Sequence, residues 1–487
     1  MEFKILKYYY LEQPNHNKRR HNISVVQLSN ELELYVIRED GIINNLEIIP
    51  GNNPLCSNVK ENYYGKNFWW NNWNNEKELS GSHSILMIGT YDFNNNQLHI
   101  HNFYNQFDIY EKFSEYLTIL TYVDLRPYRF NNKIFLWNGK HLSRFEENKL
   151  IFVLDEKNKF LKLRNFKKKK SFFVTDKIIQ REKKENIYEL FNVLRYTNDY
   201  AKGGNQVILH TNTADYFFDW FYDDGIHIFK IDYKSKLFDI EKNDNQDDDE
   251  KLGVDIIIKY NNDPILGLGS TLESNQDTHK NSKAICPLFS FGSPFVKIND
   301  NLYIGVGHIK IINNGENKDI YLKNSKIQKT SNYISETFPK LFGNKYKEHY
   351  GRNNVSNEPT ECHGYKYMSY FIKIEFNDDD DIIMNISDAF LPINTNAEYI
   401  FSLIFTIGIM LKENHIIITS GEGDYYSSII SFDKNNIIKS CRHDVTNFNM
   451  EKYNFHVLFY NGTDINEIVT NGNITLLGDN KKYKLII

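Results

Sequence analysis

The sequence predicts an all-β fold in which antiparallel hairpins repeat along the chain. Composition gives the first support: aromatic residues make up 15% of the 487 positions, with 33 Tyr and 34 Phe against only 10 Pro. Aromatic and β-branched residues suit a pleated surface, and so apolar a chain can bury a core. The second is a recurring unit, a polar turn followed by four or five apolar residues. The third is the rarity of helical spacing. Hairpins spaced over several hundred residues suggest radial repetition of small antiparallel sheets, a β-propeller, although stacked β-sandwiches would show the same periodicity.

Residues 1–60 carry short alternating runs such as Glu31-Leu-Glu-Leu-Tyr-Val36, which fit half-buried strands. An aromatic patch, Tyr63 to Trp73, reads as a packed loop, with ring stacking on sugars as the less common alternative. Gly81 to Asp92 predicts a buried strand. The segment Tyr122 to Trp137 follows, with Asp124 and Arg126 two residues apart and so on one strand face. Pro127 cannot donate to a ladder, which places this pair near a strand end or edge. Asn131-Asn132 then supply a turn before the strand Ile134–Trp137. The same unit returns at Glu147–Val153, Asn299–Val306 and Lys412–Ile418.

Ile187, Leu190, Phe191 and Leu194 fit a turn and a half of helix. Residues 241–283 and 311–365 are polar and read as insertions. Tyr399 to Leu411 reads as strand, turn and strand, too short to span a bilayer. The expected organisation is a propeller over 1–450 with insertions near 241–283 and 311–365. Strands in 451–487 would close or flank it.

A net charge of −5 lacks the basic field of a nucleic-acid binder. Lys167–Lys170 and the acidic clusters Asp247–Glu250 and Asp378–Asp381 read as solvated loop charge. The four cysteines, Cys56, Cys286, Cys362 and Cys441, have neither disulfide nor zinc spacing. Reduced thiols and the absence of an apolar N-terminal run suggest a cytoplasmic location. No metal or cofactor is implied, no membrane span is expected, and the oligomeric state is left open.

Three segments together resemble glycoside hydrolase family 130, the five-bladed β-propeller mannoside phosphorylases and mannosidases. Asp124-Leu-Arg-Pro-Tyr-Arg-Phe-Asn-Asn-Lys-Ile-Phe-Leu136 is similar to the family's D-P-R element and hairpin. Phe289 to Ile298, running on to Tyr303–Lys310, is similar to its G-(S/T)-P blade, and Ile416–Ser428 to its last-blade motif. The chain also resembles uncharacterised relatives in large DNA viruses. It departs from the family at Leu125, where the D-P-R proline would stand, and at Ser420, in place of a tyrosine; a clean K-N-W element is missing.

The resemblance implies five four-stranded blades and an inverting glycoside hydrolase or phosphorylase acting on (manno)oligosaccharides. Inorganic phosphate would be the co-substrate of phosphorolysis. Asp124 would be the general acid that protonates the leaving oxygen. Arg126 beside it would lower its pKa, so the two could equally form a structural salt bridge. Arg126, His308 and Lys310 are cationic donors suited to phosphate. His308 follows Gly305-Val-Gly307, where small residues admit close approach, and shares a strand face with Lys310. Asp424, and more weakly Glu422, would bind sugar hydroxyls, although a Gly-flanked acidic turn also has purely conformational reasons to exist. Asp219 and Trp220 could form a stacking platform, while core packing of Phe218–Asp224 is the commoner outcome. The alternatives are a propeller glycosyltransferase and a non-catalytic glycan-binding or virion-associated protein.

Overall fold

A computed structural model describes residues 4–13, 18–41, 82–104, 126–130, 133–137, 151–155, 160–164, 181–182, 187–188, 207–212, 214–222, 224–232, 253–261, 266, 288–313, 325–347, 363–377, 381–423, 425–462, 467–470 and 473–475. The N-terminal strand β1 (Ile5–Tyr10) precedes a four-stranded antiparallel sheet of β2 (Lys18–Gln27), β3 (Glu33–Gly41), β4 (Ser82–Asp92) and β5 (Gln97–Tyr104). A second sheet holds β6 (Arg126–Phe130), β7 (Lys133–Trp137), β8 (Ile151–Asp155) and β9 (Phe160–Arg164). The short strands β10 (Arg181–Glu182) and β11 (Ile187–Tyr188) pair with each other. The third sheet comprises β12 (Val207–His210), β13 (Ala214–Tyr222), β14 (Gly225–Asp232) and β15 (Gly253–Lys259).

The fourth sheet is larger. Its first part contains β16 (Phe289–Phe291), β17 (Val296–Lys297) and β18 (Leu302–Asn313). Helix α1 (Ser325–Phe342) and β19 (Tyr346–Lys347) then intervene before β20 (His363–Phe376), β21 (Ile382–Ile386) and β22 (Ala389–Asn394). After β23 (Ile400–Phe401), which pairs with β19, comes the last sheet, of β24 (Ile404–Lys412), β25 (His415–Glu422) and β26 (Tyr426–Asp433). Helix α2 (Lys434–Ser440) leads to β27 (His443–Asp444) on β21. The chain continues through β28 (Phe455–Tyr460), parallel to β22, and then β29 (Glu467–Thr470) and β30 (Asn473–Thr475). The protein is thus mostly β, and its sheets are mainly antiparallel.

The last sheet shows how the layers hold together. Ile416, Ile418 and Ile430 are buried with Ile304 and Val306 of β18, Phe371 of β20 and Phe390 of β22. The alternate residues Met410, Ile417 and Ile429 are buried with Val25, Tyr35, Ile37, Ile85 and Met87 of the first sheet. Successive side chains point to opposite faces, so a strand covered on both sides is apolar at consecutive positions. This explains the uninterrupted Ile416-Ile-Ile418. Gly408 is required where β24 crosses β2: a Cβ there would sit 2.2 Å from Thr419 Oγ1 and 2.7 Å from the Val25 amide nitrogen.

The third sheet packs on the fourth, the fourth on the last, the last on the first, and the first on the second. β1 completes the last sheet by pairing antiparallel with β26, Tyr8 opposite Ile430 and Tyr10 opposite Ser428. Among the described residues no sheet closes on itself.

The turns at 298–301 and Glu413-Asn414 join hairpins as expected, with Glu413 at φ 52° in the second, and β6 pairs antiparallel with β7; Asn131-Asn132 lie outside the described residues. Pro127 lies on β6, an edge strand. Three expectations need correction. Ile187–Tyr188 form a strand, not the start of a helix, and 189–194 lie outside the described residues. The 241–283 segment, expected to be loop, contributes β15 to the third sheet. Within 311–365 stands α1, which buries Ile327, Ser331, Ile334 and Phe338 at spacings of three and four residues.

Asp388, between β21 and β22, ties the parallel strand β28 to the sheet. Its Oδ1 accepts from the Asn454 amide at 2.9 Å and lies 2.8 Å from His443 Nε2. Its Oδ2 accepts from Arg442 Nη2 at 2.8 Å and lies 3.4 Å from His456 Nε2. Burial alone would raise this carboxyl, but the hydrogen bonds from His443, His456 and Asn454 hold it well below the usual carboxylate range. Its contribution to stability is therefore present above the ordinary carboxylate pKa of about 4 and lost as pH falls through the lower folded-state value. Asp388→Ala should cost about 2–4 kcal/mol at pH 7, because it leaves the Asn454 amide and the largely covered His443 and His456 without their buried acceptor. In urea unfolding, the gap between wild type and variant should narrow as pH falls from about 5 to about 2.

Candidate functional site

The layer between the fourth and last sheets contains polar residues as well as apolar ones. His308 on β18 lies opposite Ser290 of β16 and Ser369 of β20. It is buried, stacked on Tyr367 at 5.4 Å between ring centroids, and edge-on to Phe405 of β24 at 5.1 Å. Lys310 lies opposite Tyr367 in the ladder and places its Nζ 5.6 Å from the centroid of the same ring. Both side chains therefore meet one tyrosine, as residues two apart on a strand can.

Gly305 and Gly307, on the other face, have a packing role. A Cβ at Gly307 would lie 2.4 Å from the Tyr370 ring, and one at Gly305 2.7 Å from Phe295. Those rings fill the space that the sequence suggested for a ligand.

Arg126 opens β6, on the edge of the second sheet, and is buried. It lies close enough to His308 for its charge to act on the imidazole. Burial first, then the charges of Arg126 and Lys310, push the His308 pKa down to about 3. His308 is therefore neutral near pH 7.

Beside this group runs a chain of buried hydroxyls. Ser369 Oγ is 2.8 Å from Thr406 Oγ1, and Thr406 Oγ1 is 2.8 Å from Ser420 Oγ. It joins β20, β24 and β25 and satisfies polar groups that would otherwise be costly to bury. Ser420 is the position where the family resemblance would place tyrosine.

Two residues beyond Ser420, Glu422 is also buried, but it faces β1. Tyr8 donates to Oε1 at 2.5 Å and Tyr10 to Oε2 at 2.9 Å. Both carboxylate oxygens are thus engaged by tyrosines, in a place where the sequence suggested sugar hydroxyls. Burial pushes the Glu422 pKa up to about 7, against the opposing hydrogen bonds of Tyr8 and Tyr10.

The structure thus brings His308 and Lys310 together on Tyr367, with the charge of Arg126 acting on His308. Asp124 and Asp424 lie outside the described residues. Asp219 and Trp220 fall where the register of β13 against β14 shifts, between Phe218 and Phe221, and their side chains are likewise outside the described set. Phe218 and Phe221 themselves are core residues packed on Phe291, at 5.5 and 4.8 Å. Tyr367 and the hydroxyl chain were missed in the sequence. The one available signal was the alternation Tyr365-Lys-Tyr-Met-Ser-Tyr370, which marks a strand without naming its partners.

Among the described residues no cluster is arranged to hold a metal ion; beside Asp388 the Arg442 guanidinium already supplies a cation. No helix among them is long and apolar enough to cross a membrane.

No protein-family model and no curated protein matches the chain. Solved structures do. A β-1,2-mannobiose phosphorylase from Listeria innocua aligns with a TM-score of 0.37 and 10% identity, over 90% of this chain and 99% of that one. The mannose phosphorylase MPT-4 from Leishmania mexicana aligns at 0.33 and 9%, over 92% and 94%. The GDP-Man-dependent mannosyltransferase MPT-1 from the same organism aligns at 0.31 and 8%, over 91% and 94%. At these scores the likenesses carry no argument about chemistry, which rests on the residues of this chain.

Because the Arg126 charge lowers the His308 pKa, Arg126→Ala should raise it, measured by NMR titration of the ring nitrogens. In wild type, His308 should remain neutral from pH 5 to pH 8. Because its folded value lies below the free value of about 6.5, His308 should weaken the fold as pH falls from about 6.5 toward about 3.

Proposed function

We propose that this chain is a carbohydrate-active protein, a glycoside hydrolase or glycoside phosphorylase acting on mannose-containing oligosaccharides. One observation carries the reading. His308 and Lys310 of the fourth sheet meet on a single tyrosine, and the charge of Arg126, on the second sheet and far away in sequence, acts on His308. A lysine and a neutral imidazole on one aromatic ring, with a guanidinium charge acting on the imidazole, suit a sugar and an anionic group together.

Asp124 precedes Arg126 by two residues. In this proposal it is the general acid, protonating the glycosidic oxygen while phosphate or water attacks the anomeric carbon from the opposite face, with inversion. Arg126 and Lys310 would hold the phosphate in phosphorolysis. His308, kept neutral, would offer a hydrogen bond without adding a third positive charge. Glu422 has no part in this assignment, because its oxygens are engaged by Tyr8 and Tyr10.

The architecture proposed with it is a ring of five blades. Support comes from four four-stranded sheets, a fourth sheet whose β16–β21 portion repeats the pattern, and the order of their contacts. Completion of the last sheet by the N-terminal strand also fits, since it pairs the first described strand with β26 of the last four-stranded sheet.

The test is turnover of β-linked mannobiose with and without inorganic phosphate. Phosphate-dependent formation of mannose 1-phosphate is expected of a phosphorylase, and phosphate-independent release of mannose of a hydrolase. Asp124→Asn should lower kcat by 10² or more while leaving sugar binding intact. Arg126→Ala should raise the KM for phosphate if phosphorolysis operates. Binding of the sugar without turnover in wild type would favour a glycan-binding protein, and transfer from a nucleotide-sugar a glycosyltransferase. Asp124→Asn at wild-type activity would remove the acid from the mechanism.

A further inference from the structure

The N-terminal strand is attached to a part of the chain 414 residues away in sequence by an arrangement that the catalytic proposal does not use. β1 forms the edge of the last sheet, held by its ladder to β26 and by the apolar contacts of Ile5 and Tyr8. At its C-terminal end two tyrosines converge on one carboxyl. Tyr8 and Tyr10 lie on the same strand face, 5.3 Å apart between ring centroids, and each hydroxyl meets a different oxygen of Glu422.

The rings are fixed from behind. Tyr460 of β28 packs on Tyr8 at 5.8 Å, and Tyr426 of β26 packs on Tyr10 at 4.8 Å. Backbone geometry sets the carboxyl. Gly421 before it has no room for a Cβ, which would lie 2.6 Å from the Asn22 amide nitrogen, and Gly423 after it turns at φ +58° against Phe401.

We propose that Tyr8, Tyr10 and Glu422 form a proton-operated latch on the N-terminal strand, which is held tightly while the Glu422 carboxyl carries a proton and less tightly once that proton leaves. The enclosure of the carboxyl by hydroxyls and apolar groups favours its neutral form, and the two tyrosine donors offset that only in part. Facing it are Tyr8 and Tyr10 from β1, Tyr426 and Ser428 from β26, and Ile404 opposite it on β24. Asn22 of β2 stands against the preceding glycine. Among these groups none is a cation, so an ionised carboxylate here is stabilised by neutral donors alone. A protonated carboxyl can donate to one tyrosine while it accepts from the other.

The direction of the pH dependence follows by linkage. With β1 lifted, Glu422 reverts toward the ordinary glutamate value of 4.5; with β1 seated, burial raises it to about 7. The seated form therefore holds the proton more tightly. Attachment is strongest below about pH 4.5, weakens as pH rises toward about 7, and is constant above that. The difference between these values corresponds to a change of roughly 10²-fold in the closing equilibrium.

Amide hydrogen exchange of the intact protein, followed by mass spectrometry from pH 5 to pH 8 and corrected for intrinsic rates, tests the latch. Protection of Ile5–Tyr10 should fall by roughly 10²-fold across this range, while β14 of the third sheet, which does not touch Glu422, keeps its protection. In Glu422→Gln, which cannot ionise, the fall in β1 should disappear. In Tyr10→Phe, which removes a donor that steadies the carboxylate, the fall should extend to higher pH; this variant decides the matter if Glu422→Gln does not fold. A wild-type protein with pH-independent protection of β1 would overturn the proposal. So would a Glu422→Gln variant that retains the wild-type fall, or a Tyr10→Phe variant with the wild-type profile.

Discussion

The β24–β25–β26 sheet has two apolar faces, and both must be covered. Ile416, Ile418 and Ile430 turn to the fourth sheet, Met410, Ile417 and Ile429 to the first, and all are buried. Each such side chain contributes about 1.5–3 kcal/mol when removed from water, so leaving either face uncovered would cost an amount comparable with the whole stability of an ordinary domain. The demand brings three sheets into register, places β2 directly over β24, and makes Gly408 necessary at the crossing. The remaining edge is covered by β1, which lowers the exposure of an otherwise open ladder.

The polar residues inherit their properties from that burial. His308 and Glu422 lie in strands flanking the same layer, and desolvation drives each toward neutrality, the imidazole downward and the carboxyl upward. Asp388 is nearly as enclosed yet moves in the opposite sense to Glu422, because an amide, two imidazoles and a guanidinium converge on it. The two carboxyls differ in their neighbours more than in their depth. One holds its charge as a structural tie; the other keeps its proton close to neutral pH.

Local chemistry was legible wherever a few neighbouring residues decide the outcome. The hairpin at Glu413-Asn414 follows from residues that tolerate tight turns, and the edge position of Pro127 from its missing donor. The placement of His308 and Lys310 on one face follows from the period of a strand. Helix α1 was missed because lysines, serines and threonines dilute its apolar stripe, in which Ser331 occupies one buried position. The strand β15 was hidden by the acidic residues before it, which masked Val254-Asp-Ile-Ile-Ile258. Gly305 and Gly307, read as room for a ligand, instead make room for Phe295 and Tyr370, which the order of residues does not reveal.

By itself the sequence determined strand content, turn positions and the facing of side chains along each strand, because these depend on residues within a few positions of one another. Only the tertiary structure decided which strands share a sheet, that Arg126 approaches His308, and that Glu422 meets Tyr8 and Tyr10. The parallel pairing of β22 with β28 belongs with these. Such pairings are chosen by the burial of distant apolar faces, and the environment of a carboxyl or an imidazole is set by whatever that burial brings beside it.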